Sequence, residues 1–483
     1  MKRWWWTILF GAAALEAQEN PRPNILWILA EDMSPEIGAY GYENVHTPRL
    51  DELASEGVAY THAFTTAPVC SPSRSAIMTG MYQTTIGAHN HRSHRDDGYP
   101  LPDGVRLLTD WLRDVGYTTG NIVHLTDEDD ESYFRGTGKT DWNFHYDGEP
   151  FDTDRWSDLR ARQPFFAQVN FPETHRGRDW DEAHTHIERP TNPDGVTLPP
   201  YYPDHPEARA VWAQYLNTIM SLDKKVGFVL DLLEQDGLAA NTVVVFMGDH
   251  GRAMVRGKQW PYDSGLRVPL IIRWPGELDP GTTSSQLIAA IDISATTLAI
   301  AGRVPPKLMQ GRVFLGREQA PPRRYVFGGR DRGDETVDRI RTVRDERFRY
   351  IRNYFPDRPF LQLNRYKEFS YPMIPLMREL HAAGELDAVQ ARLLAHTRPK
   401  EELYDLRNDP YEIHNLAEEG AHREVLATLR EVLDTWIAES NDQGRIPETR
   451  EIHERWDAQM KELYDARIRQ MLEARRQRDD PVR

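Results

Sequence analysis

Three stretches of the chain are almost continuously apolar, and each stops abruptly at polar residues. Asn24–Ala30 passes through Ile25, Leu26, Trp27, Ile28 and Leu29 into Glu31-Asp32. Residues 165–171 lead into Glu173-Thr174-His175, and residues 243–247 into Gly248-Asp249-His250-Gly251. Unbroken apolar runs of this length predict strands buried on both faces of a parallel sheet. Ligand sites in open α/β sheets lie beyond the carboxyl ends of the strands, so the three polar clusters are expected to converge.

Helical patterns separate these runs. Thr47-Pro48 has the character of an N-cap and first-turn proline, Leu50, Leu53 and Ala54 share a face, and Gly57 is expected to stop that helix. A longer helix is predicted over about 207–236, with Val211, Tyr215, Ile219, Leu222, Val226 and Leu233 at helical spacing. Pro and Gly cluster over 303–322, the best place for a boundary. Short strands at 325–327, 340–343 and 348–351 and a helix at 425–437 come after it. The charged tail beyond 447 carries Ile452, Trp456, Met460, Leu463 and Leu472 at helical spacing, predicting a terminal helix laid on the body. The expected fold is α/β, a mixed, mostly parallel sheet sandwiched by helices, with a smaller C-terminal α+β domain. The predicted divisions are 1–18, 19–315, 316–445 and a helical extension over 446–483.

Composition narrows the class. A chain of 483 residues with 39% hydrophobic and 10% aromatic content suits a globular enzyme of two domains. Beyond the N-terminus no run reaches the ~20 apolar residues of a membrane span. Lys2-Arg3, an apolar run from Trp4 to Leu15 and small residues around Ala17 read as a secretory signal, predicting export to the periplasm or the extracellular space. A formal charge of −16 argues against nucleic acid as a partner and means that an anionic ligand must be met locally.

An exported protein ordinarily uses cysteines in pairs, and this chain has one, Cys70. The plain reading of a lone Cys is a small buried hydrophobe. Its neighbours argue otherwise: Ser71-Pro72 puts Cys70 at the start of a helix that continues through Ala76, Ile77 and Met78. A nucleophile at a helix N-terminus, with Arg74 one turn on, suits a sulfate or phosphate oxyanion.

In Cys70-Ser71-Pro72-Ser73-Arg74 the chain resembles the formylglycine-dependent sulfatases, members of the alkaline phosphatase superfamily, whose signature is Cys-x-Pro-x-Arg following an acidic pair. The resemblance extends through Thr47-Pro48-Arg49-Leu50-Asp51, Thr79-Gly80, Gly248-Asp249-His250-Gly251, Arg267-Val268-Pro269, Trp274-Pro275-Gly276, Glu402-Leu403-Tyr404-Asp405, Asn408-Asp409-Pro410 and Asn415-Leu416. Several motifs in the family's order are far more specific than one. The layout is similar to the heparan N-sulfatase (N-sulfoglucosamine sulfohydrolase) branch and bacterial polysaccharide sulfatases in Gly38-Ala39-Tyr40 and in Pro199-Pro200-Tyr201-Tyr202-Pro203-Asp204.

The resemblance implies a hydrolase of sulfate esters, or of an N-sulfate, on a sugar of a sulfated polysaccharide. A maturation enzyme would oxidise Cys70 to formylglycine, whose hydrate carries two hydroxyls. One would attack sulfur with the help of a metal, and the other would lose its proton to expel sulfate. Glu31, Asp32, Asp249 and His250, with an oxygen of modified Cys70, fall where the family holds its metal. Two of these depart from the family's usual residues: Glu31 stands for an Asp and His250 for an Asn. Mostly hard oxygen donors favour Ca²⁺, with Mg²⁺ second.

For the sulfate, the resemblance implies Lys258 in Gly257-Lys258-Gln259 and His175 near the leaving oxygen, His175 being the better general acid. The family's Gly-Lys-x-His motif after Gly116-Tyr117-Thr118-Thr119 is split here. Gly138-Lys139-Thr140-Asp141 offers Lys139 as a sulfate clamp and Asp141 as the base, whereas simple spacing lands on His124 as the rival base. His89, His91, Arg92, His94, Arg330, Asp331 and Arg332 are candidates to line the substrate pocket; the plainer reading of each is a solvated loop. The acidic run 127–131 is expected to coat a loop. Two other functions remain open, phosphate mono- or diester hydrolysis on the same fold and a catalytically silent calcium-bound protein.

Overall fold

A computed structural model describes residues 22–126 and 133–479, with side chains described as far as residue 473. The expected signal segment and the acidic run 127–131 lie outside the described residues. The body is an eight-stranded mixed sheet in the order Thr282–Ser284, Val58–Tyr60, Leu270–Arg273, Thr242–Gly248, Asn24–Ala30, Phe165–Phe171, Thr118–His124 and Thr153–Arg155. Leu270–Arg273 runs antiparallel to both its neighbours, and the remaining pairs are parallel.

The three apolar runs are the three central strands, buried at every residue. Alternation within them feeds two cores. Leu26, Ile28, Val244 and Phe246 face the helix Pro206–Gln235 through Tyr215, Leu216, Ile219 and Leu222, while Ile25, Trp27, Val243 and Val245 face Ile77, Met78, Ile293 and Leu298. Register sets where the polar ends emerge. Ala30 lies level with Phe171 on one side and Gly248 on the other, so Glu31-Asp32, Glu173-Thr174-His175 and Asp249-His250 leave the sheet along one edge. The expected convergence is borne out.

The helix Pro48–Ser55 has Pro48 in its first turn and ends before Glu56. Gly57 is needed for a reason other than stopping it: a Cβ there would lie 2.2 Å from the Ile272 carbonyl oxygen of the neighbouring strand.

No helix or strand occurs between Ala301 and Tyr325, consistent with the Pro- and Gly-rich interval. Beyond it stands a four-stranded antiparallel sheet, Val326–Arg330, Ile340–Arg344, Phe348–Asn353 and Glu401–Asp405, covered by the helix Arg423–Glu439 through Leu426, Leu429, Leu433 and Trp436. Three of these strands match the expected ones. The fourth, Glu401–Asp405, is visible in the sequence only as a motif, since three of its five residues are acidic and one of them is half-buried. The terminal helix Arg450–Asp479 corrects an expectation: Trp456 and Met460 dock, but Leu463 and Leu472 are exposed, so the buried stripe of this helix is narrower than its apolar period. No described helix is long and apolar enough to cross a membrane.

Candidate active site

Cys70 is buried as the first residue of the helix Cys70–Thr79, after Val69 in extended conformation. Its Sγ lies 3.2 Å from His250 Nε2 and 3.7 Å from Asp32 Oδ1. The ligand atoms of Asp32, Cys70, Asp249 and His250 all fall within 4.8 Å of one another, and all four residues are buried. Asp32, Asp249 and His250 come from central strand ends, and Cys70 is brought up by its helix: Ser73 Oγ donates to the Asp249 carbonyl oxygen at 2.5 Å. Asp32 adopts φ 51°, which turns its amide toward Asp249 Oδ1 at 2.9 Å.

The donor set fits a divalent cation. His250 Nδ1 donates to the Gly251 carbonyl oxygen at 2.9 Å, which turns Nε2 toward the carboxylates, 2.9 Å from Asp32 Oδ1. Burial opposes the charged imidazole of His250, but Asp249 and Asp32 outweigh it and hold its pKa well above the usual histidine range. Two buried carboxylates that attract positive charge so strongly are where a cation would be held. Glu31 stands beside this group: its Oε2 accepts from Lys139 Nζ at 2.6 Å, and its Oε1 is 3.9 Å from Arg74 Nη2.

Arg74 is buried and tied down from two sides. Its Nε donates to Asp249 Oδ2 at 2.9 Å and its Nη1 to Asn170 Oδ1 at 2.6 Å, while Nη2 has no hydrogen-bond partner. Burial works against the guanidinium, yet Asp249 and Glu31 raise its pKa further. Lys258 Nζ bonds both oxygens of Asp32, at 3.0 and 2.7 Å. Against its burial, Asp32 and then Cys70 hold Lys258 protonated. His175 goes the other way: burial first, then Lys258, lower its pKa, with Asp32 and Glu31 resisting. The site thus keeps fixed cations beside an imidazole that is neutral at neutral pH.

The two candidates for the split motif lie in different surroundings. Lys139 reaches Glu31 and lies 3.8 Å from Asp141 Oδ2, whereas His124 has Asp154 as its ion-pair partner, 3.8 Å away at the sheet's edge. Asp141 also pairs with Arg95. Burial raises the Asp141 pKa, but Lys139, His91 and Arg95 bring it down to about 2, so this carboxylate is better suited to holding Lys139 than to taking a proton. Among the pocket candidates, Arg92 comes near: its amide donates to Ser71 Oγ at 2.8 Å and its charge interacts with Cys70. His91 bonds Asp334 at 3.1 Å, and burial pushes it down to about 4.

The others have partners of their own. Arg332 is consumed by Glu448, at 2.5 and 3.0 Å, and by the carbonyls of His91 and Asp334. Arg330 is 3.6 Å from Asp338 in the C-terminal sheet, Asp331 pairs with Arg341, and His89 sits among Asp331, Arg341 and Asp442. His94 bonds Asp97 at 2.8 Å on a loop.

Sequence reading missed Asn170 and Tyr366. Asn170 had a signal, since Gln168 and Asn170 interrupt an otherwise apolar buried strand, and both bond Asn121 Oδ1, at 3.0 and 3.1 Å. Tyr366, whose ring centroid is 5.8 Å from Lys258 Nζ, arrives from a helix over a hundred residues away.

A family model described as Sulfatase matches residues 23–303, and one described as N-sulphoglucosamine sulphohydrolase, C-terminal, matches residues 248–393. The chain is 36% identical over 496 residues to an ulvan-active sulfatase of Formosa agariphila, spanning 92% of this chain and 80% of that one. It is 28% identical over 461 residues to human N-sulphoglucosamine sulphohydrolase, spanning 88% and 91%. The solved structure of a 2-O GAG sulfatase shares the fold, with a TM-score of 0.62 at 22% identity over 88% of this chain and 94% of that chain.

Proposed function

Because the chain belongs to the sulfatase family and is a sulfuric ester hydrolase of polysaccharides, we propose that it desulfates an ulvan-type glycan, with Cys70 matured to formylglycine beside one Ca²⁺. Mg²⁺ is the second choice of ion. The observation that carries this reading is the position of Cys70 Sγ, 3.2 Å from His250 Nε2 and 3.7 Å from Asp32 Oδ1, at a helix N-terminus. Asp32, Asp249 and His250 would hold the ion, with position 70 as a fourth donor and Glu31 carrying Lys139 at its side. When present, the ion supplies positive charge beside position 70, and the formylglycine hydrate supplies two hydroxyls in place of one thiol.

The chain's own residues do the rest. Arg74 and Lys139, kept charged by Asp249 and Glu31, meet the non-bridging sulfate oxygens. Lys258 and His175 flank the leaving oxygen, Lys258 with the charge and His175 with an N–H. Asp141 orients Lys139 from the other side. Export is supported by the N-terminal sequence pattern, and maturation calls for a formylglycine-generating enzyme acting on this chain.

The test pairs a chromogenic sulfate ester with its phosphate analogue, then compares oligosaccharides of ulvan, heparan, chondroitin, fucoidan and carrageenan. Sulfate release that is fastest on ulvan is the expected result; faster hydrolysis of the phosphate would overturn the reading. Lys139→Ala is expected to cut kcat/KM by about 100-fold, as for loss of one preorganised donor to a developing charge. His124→Ala is expected to change it less than twofold (~0.4 kcal/mol). Equal mild effects would mean that Lys139 is not the clamp. Chelation should abolish activity and lower the thermal midpoint, and Ca²⁺ at about 100 times its Kd should restore about 2.7 kcal/mol of stability.

A further inference from the structure

A line of side chains leads away from the nucleophile. Lys258 Nζ, bonded to Asp32 at 2.7 Å, is 5.8 Å from the centre of the Tyr366 ring. The rings of Tyr366 and Tyr371 are 6.0 Å apart, and Arg176 Cζ is 5.5 Å from the ring of Tyr371. Arg176 directly follows His175, so both ends of this line belong to the reacting centre's surroundings.

Among the described residues Arg176, half-buried, shares with the buried Arg256 the lack of a carboxylate partner that the other interior arginines have. Arg74 is matched by Asp249, Arg252 by Glu36 and Arg341 by Asp442. The guanidinium of Arg176 instead lies over Trp180 at 3.8 Å and donates from Nε to the Ala253 carbonyl oxygen at 3.1 Å. Among the described residues it forms no ion pair, and burial lowers its pKa against the opposing pull of Tyr371, Tyr366 and Asp181. Along the same line, Tyr366 Oη is buried without a hydrogen-bond partner. A half-buried guanidinium held flat against an indole, with no carboxylate on it, presents its fork to a ligand, and that fork matches the paired oxygens of a carboxylate or sulfate.

Resting on the sulfatase reading above, we propose that Arg176 is a specificity-determining residue that binds a second anionic group of the substrate, with Tyr366 Oη hydrogen-bonding the same saccharide. The substrate class is then a sulfated sugar carrying, or linked to a residue carrying, another carboxylate or sulfate.

Two matched substrate pairs test this on the matured enzyme: a sulfated sugar linked to a uronic acid against its carboxyl-reduced counterpart, and a disulfated against a monosulfated sugar. The wild type should favour the more anionic member of at least one pair by about 10-fold or more in kcat/KM, mainly through KM, as for a hydrogen bond to a charged group. Arg176→Gln should bring that ratio close to one and Arg176→Lys should recover part of it. The pair that responds tells carboxylate from sulfate. Equal wild-type rates within both pairs, or a preference that survives in Arg176→Gln, would overturn the assignment while leaving the sulfatase chemistry standing. Absence of sulfate release from every member of both pairs by the wild type would remove both. Should Arg176→Gln fail to fold, the ratio is read on Arg176→Lys, where an unaltered preference overturns the proposal.

Discussion

Replacing Cys70 by alanine should abolish sulfate release, by about 10⁴-fold or more, the scale on which enzymes lose rate when their nucleophile is removed. The fold should barely notice. Sγ has only loose neighbours, His250 at 3.2 Å and Asp32 at 3.7 Å, and no disulfide depends on it. Losing one buried sulfur costs at most about 1 kcal/mol in transfer and cavity terms, so the thermal midpoint of Cys70→Ala should stay within a few degrees of the wild type. Cys70→Ser is the sharper variant, because it keeps an oxygen at the position yet offers a single hydroxyl, and it should be as inactive in sustained turnover. A variant lacking Cys70 that turns over at an appreciable rate, with its midpoint intact, would refute the nucleophile assignment. Peptide mass spectrometry of protein from the native host adds an independent reading: an unmodified thiol in a fully active preparation is incompatible with the formylglycine proposal.

The largest expected effect on stability lies away from the nucleophile, at Arg341. Its side chain is fully buried, with Nε 2.5 Å and Nη2 2.9 Å from the two oxygens of Asp442 and Nη2 3.0 Å from Asp331. Asp442 comes just after the helix that covers the C-terminal sheet, whereas Arg341 lies in the sheet itself, so the pair ties the two together. Arg341→Ala leaves two carboxylates facing a cavity, and breaking a buried pair from one side costs about 3–5 kcal/mol. Burial raises the Asp442 carboxyl and Arg341 lowers it more, so removing Arg341 should shift Asp442 upward and make the variant more sensitive to high than to low pH. In the wild type Asp442 is depressed, so its contribution is present above its unfolded value and is the part the variant forfeits. Urea denaturation near pH 7 should show the loss as a lower midpoint. Adding Asp442→Asn to Arg341→Ala should recover part of it by removing one stranded charge, and a midpoint for Arg341→Ala equal to the wild type would show that the pair contributes nothing net.

Where the site lies could be read from the chain alone, for a simple reason. A strand buried on both faces has little place for polar side chains until it leaves the sheet, so Glu31-Asp32, Glu173-Thr174-His175 and Asp249-His250 announce both the strand ends and the edge at which they gather. The placement of Cys70 was equally legible, since proline two residues on marks the helix start at which it stands. Local order and local chemistry coincide at these positions.

Partner choice is a different matter, because it depends on where side chains from remote segments meet. Lys139 Nζ reaches Glu31, 108 residues away in sequence, while His124 ends its strand beside Asp154, and it is this difference in surroundings that favours Lys139 in the proposed clamp. Arg332 carried the same charge as a substrate clamp would, and only the arrival of Glu448 shows that the charge is already matched. Leu463 and Leu472 keep a helical period that promises burial, yet both are exposed. Periodicity and residue type describe what a segment can offer; the three-dimensional packing of the chain assigns each charge its counterpart and each apolar stripe its cover, since both act over a few ångströms of space and not over sequence.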